Sequence, residues 1–163
     1  MTGAVAVKEM EQETASTPTM KVTTARFGEI QVDRDKVITL TSPFLGFPES
    51  RRFVLRPHGD NSPFMWLQSL DNPELAFVMI NPVFITPGYR PDLLPLVREE
   101  LEVENARELE MLVILTIPSG RIEAMTANLL GPVAINAGKR RAKQVLLDPM
   151  QYDPCWPVLK GMK

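Results

Sequence analysis

Short apolar runs alternate along this chain with polar breaks bounded by proline or glycine, and the alternation predicts strands. VTTARF (residues 22–27) is rich in β-branched side chains, and Gly28 marks a bend after it. EIQV runs into the turn-forming cluster DRDK, and VITLT (37–41) resumes the pattern. SPFLGFPES breaks it with two prolines and Gly46, and RFVLRP (52–57) alternates apolar and basic residues as a half-buried strand does. In FMWLQSL (64–70), period two places Phe64, Trp66, Gln68 and Leu70 on one face and Met65, Leu67 and Ser69 on the other. DNPE is a turn in which Pro73 fixes φ, and LAFVMI (75–80) is apolar enough for a strand covered on both faces. Residues 64–82 therefore read as a strand–turn–strand core unit with Trp66 packed inside.

One segment has a helical period. In DLLPLVREELE (92–102), Leu93, Val97 and Leu101 recur every four residues, with Asp92 as the expected N-cap and Pro95 in the first turn. MLVILTI (111–117) then reads as a core strand. EAMTANLLGPVAIN (123–136) reads as a strand broken at Gly131–Pro132, NAGK as a hairpin turn, and RRAKQVLL (140–147) as the returning strand. The 15 prolines oppose long helices. The pattern predicts an all-β fold, a mainly antiparallel β-barrel-like domain with one or two short helices, since closure removes exposed strand edges. The expected organisation is a disordered N-terminal tail over residues 1–20, the barrel over 21–150, and a proline-rich C-terminal tail over 151–163. Met20 could serve as an alternative start.

Composition narrows the class without changing it. A chain of 163 residues, 44% hydrophobic and 23% charged, is long enough to bury a core with no metal or disulfide staple. The lone Cys155 cannot form an internal disulfide, which favours a reducing compartment. No apolar run reaches the roughly 18 residues of a membrane span. The first 20 residues lack the apolar core of a signal peptide. A cytoplasmic location is the resulting expectation.

Catalytic chemistry has little to work with. His58 is the single histidine and sits in the turn cluster RPHGDNSP. Cys155 lies between Pro154 and Trp156 with no partner base, and is expected to be an inert, at least semi-buried thiol. GPVAINAGKR (131–140) fails as a phosphate loop, because six residues rather than four precede Gly-Lys and Arg140 stands where Ser or Thr is needed. Asp71 and Glu74 fit turn positions better than a catalytic pair. No catalytic residue, metal site or cofactor is expected.

Charge is uneven, and this points to partners. Residues 92–110 carry seven acids against two arginines, a balance of −5, whereas residues 139–163 carry six cations against two acids, a balance of +4. Glu99, Glu100, Glu102 and Glu104 are the candidate contacts for a basic protein, although a solvated helix face explains them too. Asn128 is a second candidate, with the cap of a strand break as its other reading. The basic run KRRAK lacks the interleaved aromatics that stack on single strands, so direct nucleic-acid binding is not expected.

Taken together, TARFGEIQVD, LGFPESRRFVL, SPFMWLQSLDNPELAFVMINP, LVILTIP, MTANLLGPVAIN and RRAKQVLL resemble the flagellar assembly factor FliW family, in family order and over about residues 24–147. SPFLGFPE departs from the usual Pro-Glu-Gly approach, while Gly46 and Phe47 match. The resemblance implies a cytoplasmic β-barrel-like protein without enzymatic activity. It also implies two partners, flagellin and the RNA-binding translational repressor CsrA. Flagellin retained in the cell would occupy the protein and leave CsrA free to repress flagellin translation. Export of flagellin would release the protein to antagonise CsrA. The rival readings are a small-molecule-binding barrel, which needs an interior cavity with convergent polar groups, and an enzyme, which needs a titratable group in such a cavity.

Overall fold

The structure, a computed structural model, describes residues 18–161. β1 (Thr19–Thr24) and β2 (Gly28–Asp33) form an antiparallel hairpin. β3 (Ile38–Leu40), β4 (Arg52–Pro57), β5 (Phe64–Ser69) and β6 (Ala76–Ile80) follow, then the short helix α1 (Pro95–Glu100). β7 (Leu109–Thr116), β8 (Thr126–Ala127), β9 (Val133–Asn136), β10 (Arg141–Gln144), β11 (Trp156–Pro157) and a last turn of helix, α2 (Val158–Gly161), complete the chain.

Seven strands close on themselves in the order β7-β6-β5-β4-β3-β10-β9, with β9 pairing back onto β7. All these pairings are antiparallel except one, because β10 runs parallel to β3. The expected all-β barrel is therefore present, with two short helices. Its interior is filled by Phe44, Phe53, Leu67, Met79, Leu112 and Ile135, with Phe77 and Met65 packed against them. Phe44 meets Phe53 and Phe77 edge-on at 5.5 and 5.1 Å, a preferred aromatic geometry.

Three layers cover the outer wall. The β1–β2 hairpin lays Val22, Ile30 and Val32 over Val54. α1 lays Leu93, Val97 and Leu101 over Ala134 and Val145. The C-terminal segment packs Val158 and Trp156 against Ile80, Val113 and Leu115. Double coverage explains why β6, β7 and β9 are near-continuous apolar runs, whereas β3 alternates buried, exposed, buried.

Several expectations change. The two faces of β5 divide as period two requires, but Trp66 is on the outer wall and not inside. Its neighbour Leu67 enters the barrel, where Phe44, Phe53 and Phe77 already fill the space. Phe27 meets the Trp66 ring edge-on at 5.9 Å, and the Arg26 guanidinium lies 4.1 Å from the ring centroid. The helix is shorter than residues 92–102. Leu94, not Asp92, holds the N-cap position, and Pro95 takes the first helical position, where its missing N–H costs nothing. Cys155 is exposed, because the chain leaves the surface only at Trp156 and Val158. Residues 1–17 of the expected tail lie outside the described residues, and Thr19 and Met20 already belong to β1.

Candidate functional site

The acidic segment, residues 92–110, contains α1 and the loop after it. Val97 and Leu101 anchor the helix to the barrel, and the Asn136 side chain, fully buried, donates to the Leu101 carbonyl at 2.8 Å. That bond satisfies one of the orphan carbonyls at the helix end. Glu102 then turns the chain with a left-handed φ of 55°. The four candidate acids differ in their partners. Glu100 accepts from Lys143 Nζ at 2.8 Å, and Glu102 forms an ion pair with Arg141, Nε to carboxylate oxygen 2.6 Å. The Lys143 ammonium holds the Glu100 carboxyl below its ordinary range. The Thr41 hydroxyl adds to the effect, although it has no aligned hydrogen bond of its own. Glu99 and Glu104 are exposed and, among the described residues, have no cation within 4.0 Å. The acidic segment and the basic strand, separate in sequence, are thus neighbours that partly neutralise each other.

Asn128 sits at the break between β8 and β9. Its Oδ1 accepts the backbone N–H of Leu130 at 3.1 Å and of Gly131 at 2.9 Å, which makes it the cap of that break. Gln144 Nε2 donates to the Gly131 carbonyl at 3.0 Å. A Cβ at position 131 would stand 3.0 Å from that nitrogen and 3.1 Å from Asn128 Nδ2, so a larger residue here would push both amide groups back by a few tenths of an ångström. Asn128 also lines a shallow groove of about 380 Å³ with Pro43, Leu45, Leu130, Gln144 and Leu146. Leu45 is 98% exposed and Leu146 79% exposed. Two such leucines beside polar side chains able to orient a ligand suit a protein contact. The sequence offered a signal for one of them. Val145 is buried and Leu147 half-buried, so period two sends Leu146 outward.

The turn between β5 and β6 is a structural clamp. Asp71 Oδ2 accepts the backbone N–H groups of Arg51 and Arg52 at 2.9 and 2.8 Å, while Oδ1 accepts Arg52 Nε and Nη2 at 2.9 and 2.8 Å. Burial pushes the Asp71 carboxyl up, but the Arg52 and Arg51 backbone donors and the Arg52 guanidinium together outweigh it and hold it below 3.8. Ser69 Oγ accepts from the N–H groups of Asp71 and Asn72. Asp71 is thus engaged in holding the turn to β4 and Ser69 Oγ in closing it, while Glu74 is exposed with no cation within 4.0 Å among the described residues.

The remaining candidates do not assemble into chemistry. His58 Nδ1 lies 3.1 Å from Ser62 Oγ in an exposed turn, with no carboxylate to orient the ring among the described residues. No cluster of three metal-ligating side chains forms among the described residues. No described helix is long and apolar enough to cross a membrane. Burial, with Tyr152 beside it, pushes the Tyr89 phenol up, and its hydroxyl donates to the Leu129 carbonyl at 2.7 Å.

Comparison with known proteins places this arrangement. The sequence profile of the FliW protein family matches residues 21–158, a span that includes Trp156 and Val158 and so reaches beyond residue 147. A flagellar assembly factor FliW of Syntrophus aciditrophicus is 38% identical over 142 residues, covering 87% of this chain and 89% of the relative. One of Geobacter sulfurreducens is 42% identical over 133 residues, covering 82% of each. A crystal structure of the flagellar assembly factor FliW superposes with a TM-score of 0.78 at 32% identity, covering 85% of this chain and 96% of that one. The chain belongs to the FliW family.

Proposed function

We propose that this flagellar assembly factor works as a partner switch, binding flagellin and antagonising the translational repressor CsrA through protein–protein contact. The observation that carries the reading is family membership over nearly the whole described chain. The geometry supports a binding role over chemistry, because the barrel interior is filled by side chains and the polar turns are internally satisfied. A small-molecule barrel would need interior space that Phe44, Phe53 and Phe77 occupy. Flagellin excess would hold the protein away from CsrA, and export would release it.

The two partners need different surfaces. CsrA binds RNA and is expected to be basic, so the acidic segment of residues 92–110 is its proposed contact, with Glu99 and Glu104 carrying the unpaired charge and Glu100 and Glu102 tied to β10. Such a contact chiefly raises the association rate and weakens with salt. Flagellin is assigned to the apolar groove at Asn128, Leu45 and Leu146. A preference of tenfold between partners is about 1.4 kcal/mol, so concentrations can throw the switch. A competition pull-down tests it. The protein is immobilised, loaded with CsrA, and titrated with flagellin. Displacement of CsrA is expected; absence of binding by either partner at micromolar concentration refutes the reading.

A further inference from the structure

Part of the outer wall of the barrel has no covering layer among the described residues. Between the β1–β2 hairpin and α1, the parallel β3–β10 pair faces outward with Thr39 and Arg141 exposed. A groove of about 770 Å³ runs over this seam. That volume lies within the range of built ligand sites. Six cations line it: Arg34 from the turn after the hairpin, Arg51 and Arg52 from the start of β4, and Lys139, Arg140 and Arg141 from the β9–β10 turn. Three have carboxylate partners, Arg52 with Asp71 at 2.8 Å, Arg140 with Asp35 at 3.7 Å and Arg141 with Glu102 at 2.6 Å. The one acid in the lining, Glu100, is engaged by Lys143. Among the described residues, Arg34, Arg51 and Lys139 are left with no carboxylate within 4.0 Å.

The fold keeps these cations in place. Arg51 Nη2 donates to the carbonyls of Leu40 and Thr41 at 3.1 and 3.4 Å, which ties its guanidinium to β3, and its Nε and Nη1 have no hydrogen-bond partner among the described residues. Arg140 adopts a left-handed φ of 57° and donates to the Arg34 carbonyl at 3.1 Å, tying the two rims together. Lys139 N–H is held by Asn136 Oδ1 at 3.2 Å. A chain with a net charge of −2 thus concentrates like charge on one concave surface, in residues far apart in sequence.

We propose that this groove is the docking site for an acidic peptide segment of a partner protein, its carboxylates received by Arg34, Arg51 and Lys139. Guanidinium and ammonium groups make charge-assisted hydrogen bonds to carboxylates, and Met20, Val37 and Leu40 give the segment an aliphatic floor. Nucleic acid fits less well. The lining contains no aromatic ring for base stacking. The site is separate from the apolar groove and meets the acidic segment only at Glu100 and, through Arg141, at Glu102; its three free cations belong to neither surface.

The test uses the full chain and a fluorescein-labelled oligo-glutamate peptide, read by fluorescence anisotropy at low salt. Saturable binding is expected, weakened about tenfold or more by the triple variant Arg34→Ala, Arg51→Ala, Lys139→Ala, in line with loss of charge-assisted bonds. Arg121→Ala, which removes one cation outside the groove, should leave it unchanged. Because Arg51 also braces the β3–β4 loop, Lys139→Glu alone serves as a second variant and should weaken binding without lowering the unfolding midpoint. The proposal is overturned if the peptide does not bind at millimolar concentration. It is overturned equally if Arg121→Ala weakens binding as much as the triple variant does, or if oligo-uridylate binds at this groove more tightly than oligo-glutamate.

Discussion

Asp71 and Glu100 are both carboxylates that meet a cation at 2.8 Å, yet their surroundings differ in kind. Asp71 receives two backbone N–H groups as well as the Arg52 guanidinium, so four donors converge on one side chain. Glu100 receives an ammonium from Lys143 and has no backbone donor. Backbone donors cannot move to other partners without moving strands. Side-chain donors can. The difference separates charge that builds the barrel from charge that a partner can recruit. By that criterion Asp71 belongs to the fold, the Glu100–Lys143 and Glu102–Arg141 pairs are exchangeable, and Glu99 and Glu104 are open.

The largest effect should follow from breaking the clamp. Asp71→Ala removes the acceptor for two backbone N–H groups and frees Arg52, and a lost hydrogen bond to a charged group is worth about 1.5–3 kcal/mol. Because these groups are partly exposed, water recovers some of this. We expect a loss of about 2 kcal/mol in urea unfolding, with the slope unchanged. A loss no larger than that of Glu100→Gln would erase the distinction between the two carboxylates.

The clamp also shows where sequence was legible. DNPE announced a turn, and it is one, because Pro73 and the short polar side chains of Asp71 and Asn72 carry turn chemistry locally. Barrel closure was legible as many short strands with sharp corners. The inward and outward faces of β5 were legible as a division but not as a direction. Which face looks inward is decided by β4 and β6, whose Phe53 and Phe77 fill the barrel, and so Trp66 was misplaced. The acidic and basic segments were legible as charge. Their proximity was not, since β10 reaches α1 through a closure that brings residues 100 and 143 together. The groove over β3 and β10 depends on the same closure. Its cations come from three separate stretches, of which only the basic run KRRAK stands out in sequence, and there without its partners Arg34 and Arg51.

Association kinetics sharpen the distinction between exchangeable and open charge. Reversing Glu99 and Glu104 to lysine should slow CsrA association roughly tenfold at low salt, with a flatter salt dependence, since rim charges act mainly on the on-rate. Reversing Glu100 and Glu102 should add less, because part of their charge is already met by Lys143 and Arg141. Surface plasmon resonance at two ionic strengths decides between them. Dominance of Glu100 and Glu102 would mean that the ion pairs open on binding, and the open acids would lose their special standing.

The smallest effect concerns pH, and it separates the two carboxylates by magnitude as well as by kind. Both have folded pKa values below their ordinary ones of 3.8 for Asp71 and 4.5 for Glu100. A depressed folded pKa contributes stability that is fully present above the unfolded value and is lost as pH falls through the folded value. The Asp71 contribution should therefore hold from pH 7 down to about 4 and then fade below 3.8. Glu100 should begin to fade slightly earlier, below 4.5, and from a smaller total, because exposed ion pairs contribute only about 0–1 kcal/mol. Urea midpoints of wild type, Asp71→Asn and Glu100→Gln at pH 7 and pH 3 measure both. The gap between wild type and Asp71→Asn should narrow at pH 3, while that to Glu100→Gln stays under about 1 kcal/mol at either pH and shrinks with added salt. A gap for Asp71→Asn that widens on acidification would mean that its carboxyl is protonated more readily in the fold than out of it. The four converging donors would then have failed to outweigh burial.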